Sequence, residues 1–138
     1  MTATVIYEGN LRCRATHNQS GSWYETDAPT DNRGKGERFS PTDTLCTALA
    51  TCLITTIGIK AQDMGIDLAG TTLEVQKHMA AEPRRVAKIE VQIRFPHNLI
   101  LSEKDRTILE RVGNNCPVTK SLHPDLVQQV DYQWALEA

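Results

Sequence analysis

The stretch Phe39-Ser-Pro-Thr-Asp-Thr-Leu-Cys-Thr-Ala-Leu-Ala-Thr-Cys52-Leu-Ile-Thr-Thr-Ile-Gly-Ile59 decides the fold. It opens as a helix opens. Ser40 can cap the first free N–H groups, and Pro41 falls at the first helical position, where a missing N–H costs nothing. Asp43 stands at the capping-box spacing from Ser40 and suits the positive end of the helix dipole. From Thr44 to Ile59 there is no charged residue. Leu45, Leu49, Cys52, Leu53 and Thr56 share one helical face, and Ala48, Ala50, Ile54 and Ile57 spread apolar character over the others. A helix apolar on most sides is a buried one, so Cys52 is expected inside the molecule. Gly65, after Met64, is the expected left-handed stop.

Outward from this helix the pattern changes to strands. Residues 2–9 alternate, Glu8-Gly9-Asn10 turns the chain, and Leu11, Cys13 and Ala15 alternate with Arg12 and Arg14. Cys13 reads as a small inward core residue. Ser22 to Asp27 forms a third, short strand with Trp23 and Tyr24. Ala28 to Arg38 reads as a long loop carrying Arg33, Lys35, Glu37 and Arg38 directly before the helix. On the other side, Thr71 to Met79 and Arg84 to Phe95 read as strands; in the second, Ala87, Ile89, Val91, Ile93 and Phe95 face one way. Ser102-Glu-Lys-Asp105 opens a helix through about Val112. Cys116-Pro117-Val-Thr-Lys-Ser-Leu122 reads as a short helix with Cys116 at its cap, and the last strand runs from about Val127 to Leu136. The expectation is an α+β fold in one domain, 1–138, with an antiparallel sheet packed on the long buried helix. So small a chain surrounds such a helix best by pairing with a second copy, so a homodimer is expected.

Composition narrows the function classes. Net charge is -2, so no general attraction to nucleic acid or to anionic membranes is expected. The amino terminus lacks a basic region followed by an apolar run, so no secretory signal is expected; the uncharged run of the helix falls short of the ~20 residues of a membrane span. These features suit a soluble, cytoplasmic protein with its four cysteines (Cys13, Cys46, Cys52, Cys116) reduced at rest. No Cys-x-x-Cys pair occurs, and His17, His78, His97 and His123 form no helical i, i+4 pair, so no metal is expected.

Cys52 and Cys116 are the residues to weigh for chemistry. Cys116 stands at a helix start, where free N–H groups favour a thiolate; Cys52, mid-helix, needs a cation brought to it, and Arg33 and Arg38 lie in the loop that feeds its helix. Cys46 and Cys52 lie about 9 Å apart along the helix axis, too far for a disulfide. On residue chemistry alone the two cysteines read either as a redox pair or as two inert core thiols.

The pair of motifs Ser-Pro-Thr-Asp-Thr-Leu-Cys-Thr-Ala-Leu-Ala-Thr-Cys52 and Asn-Asn-Cys116-Pro-Val-Thr-Lys-Ser-Leu122 resembles the OsmC/Ohr family. Members carry a Pro-initiated buried helix of the type Pro-x-x-Leu-x-x-Ala-x-x-x-Cys and a later Cys-Pro-Val-x-x-x-Leu. The resemblance implies the OsmC-like fold as an intertwined homodimer. It also implies a thiol peroxidase in which Cys52 attacks an organic hydroperoxide, Cys116 resolves it, and an external dithiol restores both without any cofactor. Asp-Asn-Arg33 resembles the pre-helix Asn-Thr-Arg of the OsmC branch, which makes Arg33 the thiolate-stabilising arginine, with Arg38 and Arg14 as alternatives. Many members have Glu directly after the helix-initiating Pro; here Thr42 stands there and Asp43 follows. The alternatives to an enzyme are a binding module of the same fold, with an apolar ligand beside Cys52, and a redox sensor.

Overall fold

The computed structural model describes residues 1–136, with elements in the order β1 (Ala3–Gly9), β2 (Arg12–His17), β3 (Trp23–Asp27), α1 (Pro41–Asp63), β4 (Thr72–Ala80), β5 (Arg85–Arg94), α2 (Glu103–Gly113), α3 (Pro117–Ser121) and β6 (Val127–Gln133). A short 3-10 turn, Thr30–Asn32, lies inside the segment read as loop. The chain divides into two compact units, Met1–Leu45 and Cys46–Ala138.

In the first unit β1, β2 and β3 form an antiparallel sheet. Its alternation does not bury a face: Val5, Ile6 and Tyr7 are 63%, 58% and 62% exposed, so both sides of β1 are open. The polar side of β2 is engaged instead. Arg12 sits opposite Asp27 in register, and its guanidinium grips that carboxylate with Nε–Oδ1 at 2.7 Å and Nη2–Oδ2 at 2.9 Å. Arg14 lies over the Trp23 ring, 3.9 Å from its centroid. Both contacts follow from cross-strand neighbours being close enough to touch. The Ser40–Asp43 capping box is formed as expected: Asp43 N donates to Ser40 Oγ at 3.0 Å, and Ser40 N donates back to Asp43 Oδ2 at 3.0 Å.

The second unit holds the core. Cys46, Leu49, Ala50, Leu53, Ile57 and Ala61 of α1 are buried, together with Ile89, Val91, Ile93 and Phe95, Leu109 of α2, and Cys116. The buried stripe of α1 therefore runs through Cys46, Ala50 and Ile57 as well as Leu49 and Leu53, whereas Leu45, expected on that face, is exposed and Cys52 is only half-buried. A helix with apolar residues on every side does not announce which stripe faces the core. At 23 residues α1 is also long and apolar enough to cross a membrane by length and composition, because the helix extends on both sides of the uncharged run that was expected to fall short.

The sheet of this unit is ordered β4-β5-β6. β4 and β5 are antiparallel, as expected, but β6 lies parallel to β5. The connection makes this possible: α2 and α3 intervene between β5 and β6, and parallel neighbours need a crossover of that length. Near the β4–β5 turn, His78 pairs with Lys88 and Met79 with Val86, so Ala87 is the extra residue of a bulge. That shift places Val86 in the buried row where the plain alternation put Ala87. Beyond the strands, Phe95 stacks on Trp134 with ring centroids 3.5 Å apart.

Candidate functional site

Sequence positions 52 and 116 meet at the start of α3. Pro117 opens this helix, and Cys116 caps it: Cys116 Sγ accepts from Thr119 N at 3.4 Å and lies 3.1 Å from Thr119 Oγ1. Cys52 Sγ, coming from α1, accepts from Val118 N at 3.5 Å and lies 3.9 Å from Thr56 Oγ1. Two sulfurs from distant parts of the chain thus take consecutive N–H groups of one helical turn. These groups lack helical partners at a helix start, which is why acceptors collect there. Cys116 is fully buried and Cys52 half-buried, so of the two sulfurs Cys52 belongs to the more accessible residue. All four cysteines are free thiols.

The turn holding Cys116 is tied at both ends to β6. Gln128 Nε2 donates to Thr119 O at 3.2 Å, and Tyr132 Oη donates to Asn114 Oδ1 at 2.8 Å. Leu53, Asn114, Thr119, Leu126, Gln128 and Val130 line a cleft of about 410 Å³ beside this turn. Thr119, Gln128 and Tyr132 were not singled out in the sequence. Only Thr119 had a signal there, its position three residues after the capping cysteine.

Arg33 lies in the Met1–Leu45 unit, whereas both cysteines lie in the other. It follows the 3-10 turn in left-handed conformation, with φ 69, and is exposed. Gly34 beside it lies so close against the Ala28 carbonyl that no side chain fits there. Among the described residues Arg33 makes no ion pair, whereas Arg38 bonds Glu25 at 3.2 Å and Arg14 stacks on Trp23. The Arg12–Asp27 pair, not foreseen from the sequence, anchors the loop: Asp27 also accepts from Glu37 N at 3.2 Å. The Arg12 fork holds the buried Asp27 carboxyl below the usual carboxylate range and drives the guanidinium pKa upward. Among the described residues no group of three or more His, Cys, Asp or Glu is arranged to hold a metal.

The OsmC-like protein family matches residues 34–130 of the chain. No curated protein matches it. A crystal structure from Psychrobacter arcticus 273-4, provisionally described as an osmotic stress induced and detoxification response protein, is 53% identical with a TM-score of 0.91, covering 96% of this chain and 95% of its own. An organic hydroperoxide resistance protein OsmC from Legionella pneumophila is 17% identical with a TM-score of 0.62, covering 100% and 98%. The organic hydroperoxide resistance protein OhrB of Bacillus subtilis is 15% identical with a TM-score of 0.61, covering 99% and 98%. The last two likenesses speak to the fold alone. With the family matched across both cysteine motifs and a relative more than half identical over nearly the whole length, this chain belongs to the OsmC-like protein family.

Proposed function

We propose that the chain is a thiol-dependent peroxidase that reduces organic hydroperoxides to alcohols through Cys52 and Cys116. The observation that carries this reading is the convergence of both sulfurs on the Val118 and Thr119 N–H groups. The half-buried Cys52 thiolate attacks the O–O bond, the alcohol leaves, and Cys52 becomes a sulfenic acid. Cys116 then condenses with it, releasing water and forming a disulfide, and an external dithiol reduces that bond by exchange. We assign Arg33 as the cation that stabilises the Cys52 thiolate. Among the described residues its guanidinium is held by no ion pair and lies over no ring, whereas Arg38 is paired with Glu25 and Arg14 is stacked on Trp23; this favours Arg33 over both. The uncovered apolar side chains of β1 support a homodimer, and the net charge of -2 supports a protein without general attraction to nucleic acid or anionic membranes; a cytoplasmic location is part of the same proposal.

One equivalent of tert-butyl hydroperoxide should consume two thiols and leave a Cys52–Cys116 disulfide, with Cys13 and Cys46 still reduced. Cys116→Ser should react once and stop at a Cys52 sulfenic acid that over-oxidises with excess peroxide. Sulfenic acid on Cys116 beside an untouched Cys52 reverses the roles. Two unmodified cysteines at low peroxide end the enzyme reading.

A second reading, a redox sensor or binding module of the same fold, draws on the helix start. Thr42 stands where many members carry Glu, and the Asp43 carboxylate is occupied by the Ser40 cap. Catalytic turnover with a hydroperoxide and a dithiol separates this reading from the first.

A further inference from the structure

Cys116 is carried by a four-residue turn, Gly113 to Cys116, whose own backbone bonds are all local. Asn114 N donates to Glu110 O at 3.0 Å, Asn115 N to Val112 O at 3.2 Å, and Cys116 N to Gly113 O at 3.2 Å. None of these fixes the turn against the sheet. Tyr132, from β6, does so. Its hydroxyl donates to Asn114 Oδ1 at 2.8 Å and lies 3.3 Å from Glu110 O. Gly113 makes room for it, since a Cβ there would stand 2.8 Å from Tyr132 Oη. Burial, with the charges of Glu110 and Cys116 after it, pushes the Tyr132 phenol up to about 12, so it remains a donor throughout the neutral range. Disulfide closure tolerates little misplacement, because Cβ atoms must come within about 4 Å at a defined dihedral angle.

We propose that Tyr132 is the positioning residue for Cys116: its hydroxyl, seated in the notch left by Gly113 and bonded to Asn114, fixes the turn and so sets the rate at which Cys116 closes on Cys52. The proposal rests on the assignment of Cys52 and Cys116 as a redox pair. It concerns the second thiol step and not the first.

An aromatic disulfide, 5,5′-dithiobis(2-nitrobenzoate), tests closure without any peroxide. Cys52 thiolate attacks it and releases one nitrothiobenzoate; Cys116 thiolate then attacks the Cys52 mixed disulfide and releases the second. Quenched samples are followed by mass mapping of the Cys52 adduct. Tyr132→Phe and Asn114→Ala should slow decay of the adduct roughly five- to tenfold, the effect of one lost neutral hydrogen bond. Formation of the adduct should stay within about twofold of wild type. Asn114→Asp keeps the acceptor oxygen and should close at close to the wild-type rate. Unchanged closure in Tyr132→Phe overturns the proposal. So does equal slowing in Asn114→Ala and Asn114→Asp, which marks a packing effect, or a wild-type adduct that never closes. If Tyr132→Phe does not fold, the two Asn114 variants decide alone. A wild type that closes with the aromatic disulfide yet ignores hydroperoxides sinks the peroxidase reading and leaves this inference standing.

Discussion

Gly113 ends α2 against α1 with no space for a side chain, and the cost of filling that space can be worked out. A methyl carbon at this position would meet Ile57 Cδ1 at 2.8 Å, Tyr132 Oη at 2.8 Å and Ile57 Cγ1 at 3.0 Å. Comfortable carbon contacts lie at about 3.5–4.0 Å, so three atoms must move by roughly half an ångström or more. Overpacking of this kind costs about 1–3 kcal/mol. Alanine gains up to about 1 kcal/mol over glycine in helix propensity, and less at a last helical residue. Gly113→Ala is therefore expected to destabilise by about 1–2 kcal/mol. Two of the three contacts belong to Ile57, which supplies the control. Ile57→Val alone removes Cδ1 from a fully buried side chain and should cost about 0.5–1.5 kcal/mol. In the Gly113→Ala background the same deletion relieves the clash, so its cost should vanish or reverse, a coupling of about 1 kcal/mol or more. Urea unfolding of the four proteins at one fixed chain concentration measures the cycle, the fixed concentration being needed if the folded state is a dimer. Additivity within about 0.5 kcal/mol, or a Gly113→Ala protein more stable than wild type, refutes the reasoning.

Light scattering at micromolar concentration should give twice the chain mass, since Val5, Ile6, Tyr7, Trp23 and Tyr24 are left uncovered in one chain; a monomer with intact fold rules out the dimer. Arg33→Ala should slow the reaction of Cys52 with hydroperoxide and spare disulfide closure, whereas a normal first step moves the role to Arg38 or Arg14. Asp27, held by Arg12, has a lowered carboxyl pKa in the folded chain. Its contribution to stability is then full above the unfolded value of about 3.9 and fades as pH falls through the folded value. Asp27→Asn should accordingly lose stability near neutrality and approach wild type in acid; parallel pH profiles in denaturant unfolding contradict the pairing.

The elements were legible in the sequence wherever a local rule decides them. Ser40, Pro41 and Asp43 fix the start of α1 by short-range hydrogen bonding, and the same rule places the Ser102 cap, whose side chain accepts from Asp105 N at 3.1 Å. Strand alternation identified β5 but not its register at the edge, because the bulge at Ala87 is a property of the pair and not of one strand. The buried stripe of α1 could not be read for a different reason: with Leu, Ile, Ala and Thr on every face, the choice belongs to the neighbours. The direction of β6 was left open by the pattern: the two helices between it and β5 make a crossover long enough for parallel pairing, but they do not exclude the antiparallel one.

The candidate site divides along the same line. Motif and cap chemistry point to Cys52 and Cys116 separately; what brings them to consecutive N–H groups is the packing of α1 beside α3 in one core. Tyr132 and Gln128 lie outside both motifs, on a strand whose alternation explains them as ordinary half-buried residues. Their parity on β6 aims both toward the turn that carries Cys116, and that parity is set by pairing with β5: Gln128 sits opposite Ile89 and Tyr132 opposite Ile93. A one-residue slip of β6 would turn Tyr132 and Gln128 to the other face and free the turn from both tethers. The register of a strand with no cysteine in it thus holds the turn on which Cys116 stands.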